Sequence, residues 1–213
     1  MFGLSDLAVP IIGAPMAGGP GTPALAAAVS NAGGLGFLAA GYLTAEKFAD
    51  GIAAVRVATT GPIGVNLFVP QPSLADRAAL DRYREELTPL AESYGTAPGR
   101  THPDDDAWDA KIDVVADTAP EMASFTFGCP SAETLARLRK RGVLTAVTVT
   151  SLDEAGIAVG AGADVLVVQG PEAGGHRGTF DPGRRPGEES LDSLLSAIGS
   201  AHGIPVIAAG GLT

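Results

Sequence analysis

The 213-residue chain carries 14 Lys+Arg against 24 Asp+Glu, a formal net charge of −10 at pH 7. That balance argues against nucleic acid or an anionic membrane as the main partner, because both bind through clustered cations. With 46% hydrophobic and 18% charged residues, the composition excludes a disordered chain and allows a sizeable core.

In chain order, short apolar runs fall at 11–15, 35–40, 63–68, 123–127, 144–149, 164–169 and 204–209. Each has strand length, and most are apolar throughout, as parallel strands covered by helices require. Capped amphipathic segments lie between them. Thr22 before Pro23 is an N-cap followed by a first-turn proline, and Thr44 opens the next segment. Residues 70–121 break the rhythm and read as an insertion after the third strand: an amphipathic stretch from Leu74 to Tyr94, a Gly/Pro/Asp segment, then a second helix anchored by Trp108. Loops after strand C-termini line the site in α/β folds, so this insertion is expected either to form a partial lid or to decorate the outside. Asp104–Asp106 reads as a solvated turn and helix start. Ser131 opens the next helix, Ser151 and Glu154 suggest a capping box, and Ser190 opens the last helix, which Gly203 ends.

Alternation of β and α predicts a mostly parallel sheet. Five of the seven runs finish in small or amide residues, at Ala14–Met16, Ala39–Gly41, Asn66, Gln169–Gly170 and Ala209–Gly211. A ring of such ends suits a barrel mouth better than the single crevice of an open doubly wound sheet. The expected fold class is therefore α/β, a (β/α)8 TIM-barrel type that stops after the seventh strand, with residues 1–213 as one domain.

The densest chemical signal is QGPEAGGHRG (169–178), directly after a strand. Its glycines let backbone N–H groups face an anion, and His176 is the side-chain type best suited to proton transfer near neutral pH. A flexible surface turn with an incidental histidine is the bland alternative; placement beside the strand-end amide Gln169 favours function. The strand ending in Gly210 and Gly211 matches the late-barrel position of phosphate sites. Asn66 and Gln169 are amides at the ends of apolar strands, and buried amides need partners. No GxxxxGK[ST] run occurs, and AGGLG (32–36) precedes its strand, so neither a P-loop nor a dinucleotide loop is read.

The single Cys129 excludes an internal disulfide and multi-cysteine zinc sites, and reads as a small buried hydrophobe. His102 sits in a Pro/Asp loop, and His202 near a helix C-terminus reads as capping carbonyls. No apolar run reaches the ~18 residues of a membrane span, and the N-terminus lacks a basic n-region, so a cytoplasmic protein is expected.

Taken together, APMAGG (14–19), VSNAGGLGFLAAGY (29–42), GVNLF (64–68), SFTFGCP (124–130), DVLVVQGPEAGGHRG (164–178) and IPVIAAGG (204–211) resemble the nitronate monooxygenase family, FMN-dependent (β/α)8 barrels. The resemblance implies that Ala14, Pro15 and Met16 line the flavin ring. Asn66 and Gln169 would bond the flavin, and the backbones of Gly174, Gly175, Gly210 and Gly211 would hold its phosphate. His176 would be the catalytic base, with a nitronate or nitroalkane and O2 as substrates and a carbonyl compound and nitrite as products. It leaves homo-oligomerisation open. Two alternatives stand beside it: a flavin-dependent enoyl-acyl-carrier-protein reductase using NAD(P)H, and a non-catalytic barrel that binds flavin or a partner. The family's eighth strand has no counterpart in these residues, and the fifth strand ends in Thr148 and Thr150 where a phosphate-binding cation would be useful.

Overall fold

The computed structural model describes residues 2–71, 76–100 and 104–212; Leu74 and His102 lie outside them. Seven parallel strands form one sheet in sequential order: β1 (Ile12–Gly13), β2 (Leu35–Ala39), β3 (Ile63–Phe68), β4 (Met122–Thr126), β5 (Leu144–Val149), β6 (Val165–Gln169) and β7 (Val206–Ala209). Between them lie α1 (Pro23–Asn31), α2 (Ala45–Ala58), α3 (Arg77–Ser93), α4 (Trp108–Thr118), α5 (Ala132–Lys140), α6 (Leu152–Ala161) and α7 (Leu191–His202). Sequential parallel order with a helix in every connection is the wall of a (β/α) barrel, curled and open between β1 and β7. The first strand is shorter than its apolar run, because only Ile12 and Gly13 pair with β2.

Helix starts follow local chemistry. The side chains of Thr22, Thr44, Ser131, Ser151 and Ser190 each accept the N–H three residues on. The expected capping box is only half made. Ser151 accepts from Glu154 N–H, but the Glu154 carboxylate turns to the N–H and hydroxyl of Thr150, and its other oxygen accepts Phe180 N–H at 2.8 Å. A cap is thus converted into a tie between two loops. His202 does not act as a carbonyl cap through its buried Nε2, which has no partner among the described residues.

Alternation along the strands divides the core. Leu38, Val65, Leu67, Phe125, Val147, Leu166 and Val168 face the helices and pack with Phe48, Ile52, Val115, Leu135 and Leu194. Leu35, Phe37, Met122, Ala146 and Val165 face inward, where the N-terminal Phe2, Leu4 and Leu7 pack against them. Period-two side-chain direction sends alternate residues to opposite faces, so strands apolar throughout serve two cores.

The segment after β3 divides in two. Helix α3 buries no side chain. Helix α4 buries Lys111, Ile112, Val115 and Ala116, and Trp108 packs edge-on against Phe125 with centroids 5.9 Å apart. It occupies the wall-helix layer, so the part that departs from the barrel repeat is the stretch before it.

Candidate active site at the strand C-termini

The C-terminal tips of the strands open on a cavity of about 890 Å³. Ala14, Pro15, Asn66, Gly210 and Gly211 line it, together with Ser124, Thr126 and Thr148. Deeper, its walls are apolar, from Ile12, Phe37, Val167 and Ile207. A largely apolar cleft with a few convergent polar groups is the usual form of a cofactor site.

Asn66 is 3% exposed and pairs in register with Ser124 on β4. Its Nδ2 donates to Ser124 Oγ at 2.9 Å and Thr126 Oγ1 at 3.0 Å, and lies 3.3 Å from the Ser124 carbonyl. Thr126 Oγ1 is 3.4 Å from Thr148 Oγ1. No hydrogen bond among the described residues uses Asn66 Oδ1, so an acceptor is left facing the cavity wall's polar end. Sequence reading missed this hydroxyl cluster. Its signal was present: Ser124 and Thr126 stand two apart in one strand, hence on one face.

Gln169 ends β6 and turns its amide onto its own loop. Its Oε1 accepts Gly178 N–H at 2.8 Å and its Nε2 donates to the His176 carbonyl at 3.0 Å. It therefore sets the path of the histidine loop, a job that spacing alone did not reveal. Gln71 adds a second tie, donating to the Thr179 and Phe180 carbonyls at 3.2 and 3.0 Å. His176 itself is exposed, and its ring meets Phe127 edge-on, centroids 6.1 Å apart. Of the expected site residues, His176, Gln169, Gly174, Gly175 and Met16, the last 40% exposed, do not form part of the cavity wall.

The two glycine loops touch. Gly210 and Gly211 have φ of +99° and +67°, and a Cβ on either would meet Ala173 at 2.8 Å or Glu172 at 2.6 Å. Around Gly174 and Gly175 there is open space. Among the described residues, no hydrogen bond uses the N–H of any of these four glycines. Unpaired backbone donors at adjacent turns make a concavity suited to an anion. Burial pushes the Cys129 thiol up to about 11, so it stays protonated, as its reading as a small hydrophobe requires. No group of three or more His, Cys, Asp or Glu among the described residues is placed to hold a metal, and no described helix is long and apolar enough to cross a membrane.

Known proteins align with this arrangement over nearly the whole chain. Residues 3–213 match the nitronate monooxygenase family model. A nitronate monooxygenase of Paraburkholderia phytofirmans is 41% identical over 207 residues, covering 95% of this chain and 56% of that protein. The Pseudomonas aeruginosa nitronate monooxygenase is 41% identical over 213 residues, covering 95% and 59%. Among solved structures, nitroalkane oxidase from Streptomyces ansochromogenes superposes with a TM-score of 0.90 at 45% identity, over 98% of this chain and 60% of that one. FabK from Thermotoga maritima gives 0.69 at 28% identity, over 98% and 53%. The chain thus spans somewhat more than half the length of these relatives. On the family match and these identities, the chain belongs to the nitronate monooxygenase family.

Proposed function

We propose that this chain forms the FMN-binding barrel of an oxidoreductase that oxidises nitronates or nitroalkanes with O2, giving a carbonyl compound and nitrite, with His176 as catalytic base. The observation that carries the reading is one cavity lined by Asn66, Gly210 and Gly211, with the last two packed against Glu172 and Ala173 of the loop that Gln169 tethers and that carries His176. Two nitronates and one O2 give two carbonyls and two nitrites, which balances atoms and charge.

The residues fit a flavin mononucleotide. Asn66 Oδ1 offers an acceptor to a ring N–H, and Ala14 and Pro15 offer a flat wall. The N–H groups of Gly174, Gly175, Gly210 and Gly211 suit a phosphate, and any Cβ at the last two would close the approach between the loops. FMN, when bound, supplies the electron transfer to O2. The protein supplies the rest. Gln169 holds the loop; His176 takes the proton from the nitro-bearing carbon of a neutral nitroalkane and, once cationic, stabilises the nitronate beside it. Met16 is proposed at the ring's edge. The stretch before α4 is proposed as a partial lid, since Gln71 already ties its start to Thr179 and Phe180.

The test is the flavin spectrum of the purified protein, then oxygen uptake and nitrite release with ethylnitronate and with nitroethane. His176→Ala should keep its flavin and lose roughly 10²–10⁴-fold in turnover of nitroethane. Unchanged turnover removes His176 from the chemistry. A second reading, an enoyl-thioester reductase, draws on the likeness to FabK at 28% identity. NAD(P)H oxidation without any nitro compound would favour it.

A further inference from the structure

We propose that Tyr42, Phe68 and Phe127 form an aromatic shelf that docks the carbon substituent of the substrate, and that the preferred substrates are nitro compounds bearing an aryl or extended apolar group. This rests on the reading of His176 as the group facing the nitro-bearing carbon. The rings run in an edge-to-face series at the strand tips, beside the cavity lining rather than in it. Tyr42 to Phe68 is 5.6 Å, Phe68 to Phe127 is 4.9 Å, and Phe127 to the His176 ring is 6.1 Å between centroids. They come from the tips of β2, β3 and β4, and Phe68 lies two residues beyond Asn66, on the same strand face.

These rings are not held by core packing alone. Tyr42 is 75% exposed, and Phe68 and Phe127 are only partly buried. Tyr42 and Phe127 also sit at φ of +66° and +70°. Bulky residues rarely adopt that left-handed backbone, which asparagine or glycine would accept more easily. Strain of this kind clusters at ligand sites. The surroundings enforce it. Asp106 Oδ1 accepts Tyr42 N–H at 3.1 Å and lies 2.7 Å from the buried ammonium of Lys111. A Cβ on Gly41 would collide with the Phe68 ring, so the glycine before Tyr42 makes room for the series. An exposed row of faces and edges binds a flat or extended apolar group. Meanwhile the charged nitronate end lies toward the imidazole.

Nitrobenzene, which has no hydrogen on the nitro-bearing carbon, is a non-reacting probe for the flavin-loaded protein. Its dissociation constant is measured by calorimetry for the parent, Phe68→Leu and Tyr42→Asn. The second change removes the ring but suits the left-handed backbone, and a thermal melt confirms each fold. Each variant should bind nitrobenzene roughly 3–10-fold more weakly. The ratio of kcat/KM for the nitronate of phenylnitromethane to that for ethylnitronate should fall by a similar factor. Unchanged nitrobenzene affinity in both folded variants, or an unchanged kinetic ratio, overturns the shelf. If the variants bind nitrobenzene more weakly than a parent that oxidises neither nitronate, the shelf stands and the redox reading is overturned instead.

Discussion

Replacing Gln169 by leucine keeps the volume of the β6 terminus and removes both bonds that hold the histidine loop. The lost contacts are Oε1 to Gly178 N–H at 2.8 Å and Nε2 to the His176 carbonyl at 3.0 Å. Each such neutral bond contributes about 1 kcal/mol net, so closing the loop should become less favourable by about 2 kcal/mol. That is roughly a 30-fold rise in the open population. Gly178 reports it well. Among the described residues its N–H is bonded only through Gln169, and a Cβ there would meet Thr148 Cγ2 at 2.9 Å, so the loop has little alternative packing. Amide hydrogen exchange at Gly178 should therefore speed up by about 30-fold, while amides of β4 and β5 keep their protection. Gln169→Glu should fall between, because it retains an acceptor for Gly178 but sets a carboxylate oxygen against the His176 carbonyl. An unchanged exchange rate at Gly178 in the leucine variant would refute the tether.

Two further outcomes follow from buried groups. The Lys111 ammonium is 1% exposed and lies 2.7 Å from Asp106 Oδ1, but off the hydrogen-bond axis, so charge attraction holds the pair. Asp106→Ala should destabilise by about 3–5 kcal/mol in urea titrations and Lys111→Met by under about 1 kcal/mol, since only the first leaves a buried charge uncompensated; equal losses would contradict this. The raised pKa of Cys129, about 11, means the proton is retained well above neutral pH. Alkylation by iodoacetamide should then rise about tenfold per pH unit from pH 8 until about pH 11, because only the thiolate reacts. A rate that levels off near pH 9 would show the thiol to be more accessible than the structure has it.

Some of this was legible in the letters. A Ser or Thr before an amphipathic segment marks a helix start, and every one of Thr22, Thr44, Ser131, Ser151 and Ser190 accepts the N–H three residues on. The wall strands were legible because apolar runs of strand length need no distant information. The role of α4 was not. Its apolar positions looked like part of an insertion, and only packing against α2 and α5 makes it a wall helix. Gln169 was picked out as a strand-end amide, but its partners lie in a loop whose path no spacing rule gives.

The β/α alternation, the helix starts and the placement of Asn66, Gln169 and the glycines at strand ends are all local properties of the chain. Each of these depends on neighbours within a few residues. Tertiary structure alone decided that Asn66 would join Ser124, Thr126 and Thr148, that Tyr42 would be fixed by Asp106 from 64 positions away, and that three rings would line up beside His176. Those contacts join strands and loops adjacent in space and distant in sequence, and their geometry exists only once the strands have paired.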